Sequence, residues 1–166
     1  MVRKLLSTDN DLILSMLRIV LGVVFFAHGA QKMLGWFGGD GFSGTMAFFT
    51  QQLGIPSVLA FLAIVAEFFG SLGLLAGLLS RVAAFGIACN MLVAMAMLHI
   101  HNGFFMNWFG TQRGEGIEFH LLALALALTV ILRGAGAYSL DRFLSRWTEH
   151  RASGGSQGHV ATPAAA

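Results

Sequence analysis

The sequence predicts an all-α integral membrane protein, an antiparallel four-helix bundle with a short interfacial helix in its first outer loop. Three observations carry that expectation. Hydrophobic residues make up 56% of the 166-residue chain and charged residues only 11%, where a soluble domain carries about 25% charged residues. The apolar residues gather in runs of roughly 20, the length at which a helix rising 1.5 Å per residue crosses hydrocarbon. Lysine and arginine then fall almost wholly on one side of the resulting topology. In water a chain of this size needs a polar surface, which this composition cannot supply. With hydrocarbon as the outer solvent, it can fold.

The first span is expected from about Leu12 to Leu34. Gly35, Gly38, Gly39, Gly41 and Gly44 follow among aromatics, a stretch no regular helix favours. Phe42 to Leu53 reads as a short interfacial or re-entrant helix, punctuated by Gly54 and Pro56. The second span runs from about Ser57 to Leu79, and Ser80-Arg81 makes a tight turn into a third, from Arg81 to His99. Asn102 to Gly116 is a loop, and the fourth and shortest span starts at Ile117 or Glu118 and ends near Leu132. Three segments result: an N-terminal tail over residues 1–11, a transmembrane domain over 12–142, and a C-terminal tail over 143–166. That last tail, small and polar, is expected to lack structure from about residue 152.

Arg3, Lys4, Arg81, Arg133, Arg142, Arg146 and Arg151 lie on one side of a four-span arrangement, and only Arg113 sits in a loop on the other. Both termini are therefore expected in the cytoplasm. The net charge of +2 and the lack of a basic stripe argue against nucleic acid. Cys89 is the only cysteine, which excludes an internal disulfide, a CxxC redox pair and a cysteine-based zinc site. No small-residue cleavage site follows the first apolar run, so it reads as a retained helix.

Ionisable groups in hydrocarbon cost several kcal/mol unless paired, hydrated or turned inward. That makes Arg18, His28, Lys32, Glu67, Asn90, His99, Glu118 and His120 the informative residues. At 100° per residue, Arg18, Gly22, His28, Gly29 and Lys32 share an arc of roughly 120° that should face the bundle. Glu67 shares its face with Gly70 and Ser71. Gly22, Gly29, Gly70, Gly73 and Gly77 mark where backbones approach closely. Arg18 belongs to the cytoplasmic half, Glu67 to the middle, and His28, Lys32, His99, Glu115, Glu118 and His120 to the outer end. A polar cavity there would suit a quinone headgroup, a small reductant or an exchanged proton.

Plainer readings stand beside this one. Glu67 with Arg18 or Lys32 is also what a structural ion pair looks like. His28 and His99 read equally as hydrogen-bonded packing residues. With no HxxxH or HExxH pair, the sequence argues against haem and against a metal site. Glu115 and Glu118 also complement the positive end of a helix dipole. Met91, Met95 and Met97 read as packing residues, and Trp36 and Trp108 as interfacial aromatics.

Arg18-Ile19, then His28-Gly29-Ala30-Gln31-Lys32-Met33-Leu34-Gly35, then the run from Glu67 to Leu78 and Arg81 follow one another in a characteristic order. His101-Asn102-Gly103-Phe104-Phe105, Gly116-Ile117-Glu118-Phe119 and Gly134 to Asp141 complete it. Over about residues 12 to 142 the chain resembles the DoxX family of small bacterial and archaeal membrane proteins. The resemblance implies a four-helix membrane fold, multi-pass in a bacterial inner (cytoplasmic) membrane. Some members look like subunits of thiosulfate:quinone oxidoreductase or of complexes tied to terminal oxidases. Others resemble parts of membrane thiol-redox or oxidative-stress assemblies. No settled catalytic set carries over.

Three functions follow as alternatives. The first is a redox-linked subunit that presents a quinone-accessible polar site, drawn from Arg18, His28, Lys32, Glu67, His99 and Glu118, to a membrane or membrane-associated partner oxidoreductase. The second is a non-enzymatic scaffold or assembly factor acting through the glycine faces, which would also suit a homo-oligomer. The third is a small-molecule or proton transporter, disfavoured by the lack of a clear inverted repeat.

Overall fold

Asp11 opens the first helix of the computed structural model, which describes residues 6–154, with side chains as far as residue 147. Its carboxylate accepts from the amides of Ile13 (2.8 Å) and Leu14 (3.3 Å), two of the donors that the start of a helix leaves unpaired. Helix α1 then runs over Leu12–Leu34 and ends at Gly35, where the Gly35 amide closes onto the carbonyls of Ala30 and Gln31. A short helical turn at Trp36–Gly38 leads into α2 (Gly41–Ala47), extended by one wide turn over Phe48–Gln52.

Helix α3 (Ser57–Ala76) starts after Pro56, whose fixed φ suits a helix entry. It stops earlier than the expected Leu79 because Gly77 takes a left-handed φ of 68°. That conformation turns the chain at once into α4 (Ser80–Ala94). Helix α4 continues through a wide turn (Met95–His99) and a tight one (Ile100–Asn102), past the expected end. Helix α5 covers Glu118–Arg133 and α6 covers Leu140–Gly154. The described residues form six helices and no strand.

The polar segment expected after residue 142 is thus helical, and the helix continues to Gly154, through three residues expected to lack structure. The remainder of that tail lies outside the described residues, as does the basic pair Arg3-Lys4.

Three helical stretches, Leu12–Leu34, Ser57–Ala76 and Ser80–Asn102, are long and apolar enough to cross a membrane. Helix α5, at 16 residues, reaches about 24 Å, short of a hydrocarbon core of roughly 30 Å. The helices pack around a ring, α1 on α3, α3 on α4, α4 on α5, and α5 back on α1. Leu21, Phe25, Leu74, Ala84, Ile87, Met91, Ala123, Ala127 and Val130 fill the space between them. Outward positions are equally apolar, among them Val20, Val23, Phe61, Phe69, Leu92, Leu122 and Leu128. An apolar exterior over an apolar core is the pattern of a protein solvated by lipid.

The α1–α3 contact is the closest. A Cβ placed on Gly29 would stand 2.6 Å from the Phe68 Cα, so only glycine lets the two backbones meet there. That approach sets the separation of the polar side chains one turn further along.

Candidate functional site

One turn beyond Gly29, Lys32 reaches across to α3 and places its Nζ 2.7 Å from Glu67 Oε1. The Glu67 side chain is 5% exposed and that of Lys32 27%, so the pair is strongly shielded at its anionic end. The Lys32 ammonium also approaches the His28 carbonyl at 3.5 Å. The pair forms one wall of a cavity of about 620 Å³ enclosed by α1, α3, α4, α5 and the end of α2. Asn90, on α4, donates from Nδ2 to the Ala63 carbonyl of α3 at 2.8 Å and ties the two helices together at the cavity edge.

The opposite wall carries two histidines. His99, in the wide turn that ends α4, has its Nδ1 2.9 Å from the Glu115 carbonyl. A carbonyl oxygen only accepts, so Nδ1 carries the proton and Nε2 of the neutral ring is left as an acceptor. The ring of His120 lies 4.3 Å from that of His99, centroid to centroid. His120 is 4% exposed, and its buried Nδ1 makes no hydrogen bond of ordinary geometry among the described residues, with the Gly116 backbone close by. His28 sits between the walls, 5.8 Å from the Phe119 ring. The rest of the lining is mainly apolar, from Phe25, Leu59, Leu62, Ala66, Phe85, Val93, Met97 and Phe119 among others.

His28, Lys32, Glu67 and His99 are therefore brought to one cavity, and two of the candidates read from the sequence are not. Arg18 shares the inward face of α1 but lies at the other end. It is 1% exposed, and its guanidinium donates to the carbonyls of Leu74, Leu75, Ala135 and Tyr138. Four backbone acceptors at the end of α3 and in the 134–138 loop account for its burial. Glu118 points into the loop between α4 and α5, where one carboxylate oxygen accepts from the Met106 amide (2.9 Å) and the Trp108 indole (3.2 Å). Glu115 does the same for the Asn107 amide at 2.6 Å. These carboxylates fold the loop that closes the cavity, and Glu118 does not line it.

His120, expected at the same end as Glu118, lines the cavity where Glu118 does not. The signal was present: His120, Ala123, Ala127 and Val130 recur at helical spacing and are all buried, whereas Glu118 lies two residues off that stripe. At the far end, Asp141 caps α4, its two oxygens accepting from the amides of Leu79 (2.7 Å) and Ser80 (2.9 Å). In the sequence Asp141 stands out only as the close of the Gly134–Asp141 element of the resemblance, since its partners are backbone groups. Among the described residues no group of three or more His, Cys, Asp or Glu could hold a metal ion.

The apolar exterior, the three membrane-length helices and the polar groups turned inward define a helical membrane protein. Comparison with known proteins gives its family. The DoxX family model matches residues 13–100, and the chain belongs to the DoxX family. It is 27% identical over 129 residues to CatD of Bacillus subtilis (strain 168), which carries the name of a proposed oxidoreductase; the match covers 78% of this chain and 84% of that one. It is 29% identical to the inner membrane protein YqjF of Escherichia coli (strain K12), covering 78% and 89%. An uncharacterized protein of Haemophilus influenzae is 35% identical over 77% of this chain and 87% of its own. No solved structure matches.

Proposed function

We propose that this protein is a four-span subunit of a bacterial inner membrane, with both termini in the cytoplasm, that holds a quinone headgroup for a partner oxidoreductase. The observation that carries the reading is the convergence of the Lys32–Glu67 pair and the His99–His120 pair on one otherwise apolar cavity of about 620 Å³. Ligand sites have this form and size, apolar walls with a few convergent polar groups. In this reading α5 completes the bundle despite its length, and α2 lies in the interface. The name of CatD points toward redox chemistry in a relative.

Oxidation of a quinol releases two protons and two electrons. Glu67 and His28 are placed to exchange the protons, and the Lys32 ammonium to stabilise negative charge on a headgroup oxygen. Arg18, saturated by carbonyls at the far end, has no part in it. The electrons pass to or from a redox centre on the partner, because a chain with one cysteine has no dithiol of its own.

Protein purified in mild detergent with its membrane partners should yield quinone on solvent extraction, and Glu67→Gln or His28→Phe should lose it while remaining folded. A quinone-free preparation that still brings down a defined partner would replace this reading with the scaffold. One observation weighs against a scaffold built on glycine faces. Gly22, Gly29, Gly70 and Gly86 all meet neighbouring helices of the same chain, which leaves those faces unavailable to a partner or a second copy.

A further inference from the structure

The cavity is open to the side. Helices α3 and α4 touch closely only along part of their length, where their facing residues are small. A Cβ on Gly86 would lie 3.0 Å from the Ala66 Cβ, and one on Gly70 would lie 3.5 Å from the Ala83 carbonyl. The Asn90–Ala63 bond holds the helices together one turn further on; beyond Ala63 the residues that line the cavity are large, Leu62 and Leu59 on α3 and Val93 and Met97 on α4. Each of these four residues lines the cavity and is also exposed on the outer surface: Leu59 by 55%, Leu62 by 51%, Val93 by 49% and Met97 by 44%. A residue that does both marks a mouth.

That mouth lies between two of the helices long enough to cross a membrane. From Leu59 to Glu67 the cavity runs about 12 Å along α3, at 1.5 Å per residue; its mouth is the Leu59–Leu62 end, before the Asn90–Ala63 bond holds the two helices together, and the Lys32–Glu67 pair stands at its inner end. The ends of the cavity are otherwise occupied, by Phe49, Leu53 and Ile55 after α2 and by Met106 and Glu115 of the outer loop. A water-soluble ligand would meet an apolar slot at hydrocarbon depth. A molecule dissolved in the bilayer would meet a path of matching polarity along its whole length.

We infer that the ligand enters from the lipid phase between α3 and α4, and that it is an amphiphile whose hydrogen-bonding headgroup reaches Glu67 while its alkyl or isoprenoid tail stays in the gap. This inference rests on the cavity being a headgroup site, as proposed above. The occupant of the slot is the ligand's own tail. Threading it requires the width that Leu62 and Val93 leave.

The test uses the full chain in lipid nanodiscs and two probes, a decyl-tailed benzoquinone and the same ring without its tail, with binding read from tryptophan fluorescence. Leu62→Trp and Val93→Trp each narrow the mouth, and Leu72→Trp, exposed on α3 but outside the cavity, serves as the control. The narrowed variants should weaken the tailed probe by about tenfold or more, equivalent to about 1.4 kcal/mol, and leave the tail-less ring within about twofold. The control should change neither. Unchanged binding of the tailed probe in both folded variants would overturn lateral entry, as would equal loss of both probes. A dimer sealed through this face, seen as a doubled mass, would overturn it too. If neither probe binds the unaltered protein, the headgroup site itself fails and the inference fails with it.

Discussion

The two ends of this molecule solve the problem of charge in an apolar medium in opposite ways. At one end Arg18 and Asp141 are each 1% exposed, and both act on backbone. Arg18 donates to carbonyls that end α3 and line the 134–138 loop, and Asp141 accepts from amides that begin α4. Arg81 repeats the device, donating to Ile131 and Leu132 carbonyls at the end of α5 and to Ser7. Helix termini supply orphan donors and acceptors, and charged side chains near them are stabilised by both hydrogen bonding and the helix dipole. The buried charges there, Arg18 and Asp141, are consumed in holding the chain together.

At the other end the polar groups line one cavity. Lys32 and Glu67 pair with one another, His99 is oriented by a carbonyl, and the buried Nδ1 of His120, beside the Gly116 backbone, makes no hydrogen bond of ordinary geometry among the described residues. A saturated cluster builds a fold, whereas an incompletely satisfied one around a cavity has capacity left for a ligand. The lesson is that intramembrane charge alone does not mark a site. What marks it is charge whose hydrogen-bonding capacity the protein itself leaves unused.

The comparison can be broken most sharply at Arg18. Replacing it with leucine removes the donor to four carbonyls and leaves Asp141 without its nearby opposite charge. A loss of about 3–5 kcal/mol is expected, the range for breaking a buried charged network, seen as a collapse of thermal stability in detergent. A folded, quinone-free Arg18→Leu protein would contradict the division of labour. Next comes Gly29→Val, whose Cβ would collide with the Phe68 backbone. Overpacking of that kind costs about 1–3 kcal/mol, and it should also separate Lys32 from Glu67, so that ligand binding falls further than the melting point suggests.

Glu67→Gln should destabilise less, because Lys32 can turn toward solvent or the interface, yet quinone binding should drop by about tenfold or more if the pair grips the headgroup. The smallest stability effect is expected for His120→Phe. Its Nδ1 has only the nearby Gly116 backbone to lose, and makes no hydrogen bond of ordinary geometry, so the melting temperature should change little, while binding falls. A large drop in stability from His120→Phe would place that residue with the structural charges at the other end.

Much of the fold was legible because apolar length and glycine positions carry it. Helix α1 occupies Leu12–Leu34 as expected, since Asp11 and Gly35 supply both caps. The α3–α4 turn starts earlier than expected because Gly77 already takes the left-handed, helix-ending conformation, and Leu79, also left-handed at φ 49°, leads into α4. The site was legible in part. A helical wheel places Arg18 and Lys32 on one face, but they stand 14 positions apart, about 21 Å along the helix, and so serve different ends. Arg18's partners are carbonyls, which no side-chain pattern records. Glu118 reads as a candidate because acidity in an apolar run looks functional, whereas its carboxylate bonds to Met106 and Trp108 in the α4–α5 loop and the buried stripe beside it carries His120. Helix α6 was missed because its residues are polar over much of the surface, and its amphipathic pattern emerges only with the helix drawn.

The central claim is that a quinone headgroup sits between the Lys32–Glu67 and His99–His120 pairs. A photoreactive azido-benzoquinone with a decyl tail, cross-linked to the full chain in nanodiscs and mapped by peptide mass spectrometry, tests it most directly. The account predicts adducts in the peptides carrying Lys32, Glu67, His99 and His120, removed by excess unlabelled quinone and absent in Glu67→Gln. Adducts confined to the outward faces of the helices, or to α6, and indifferent to competition would contradict it.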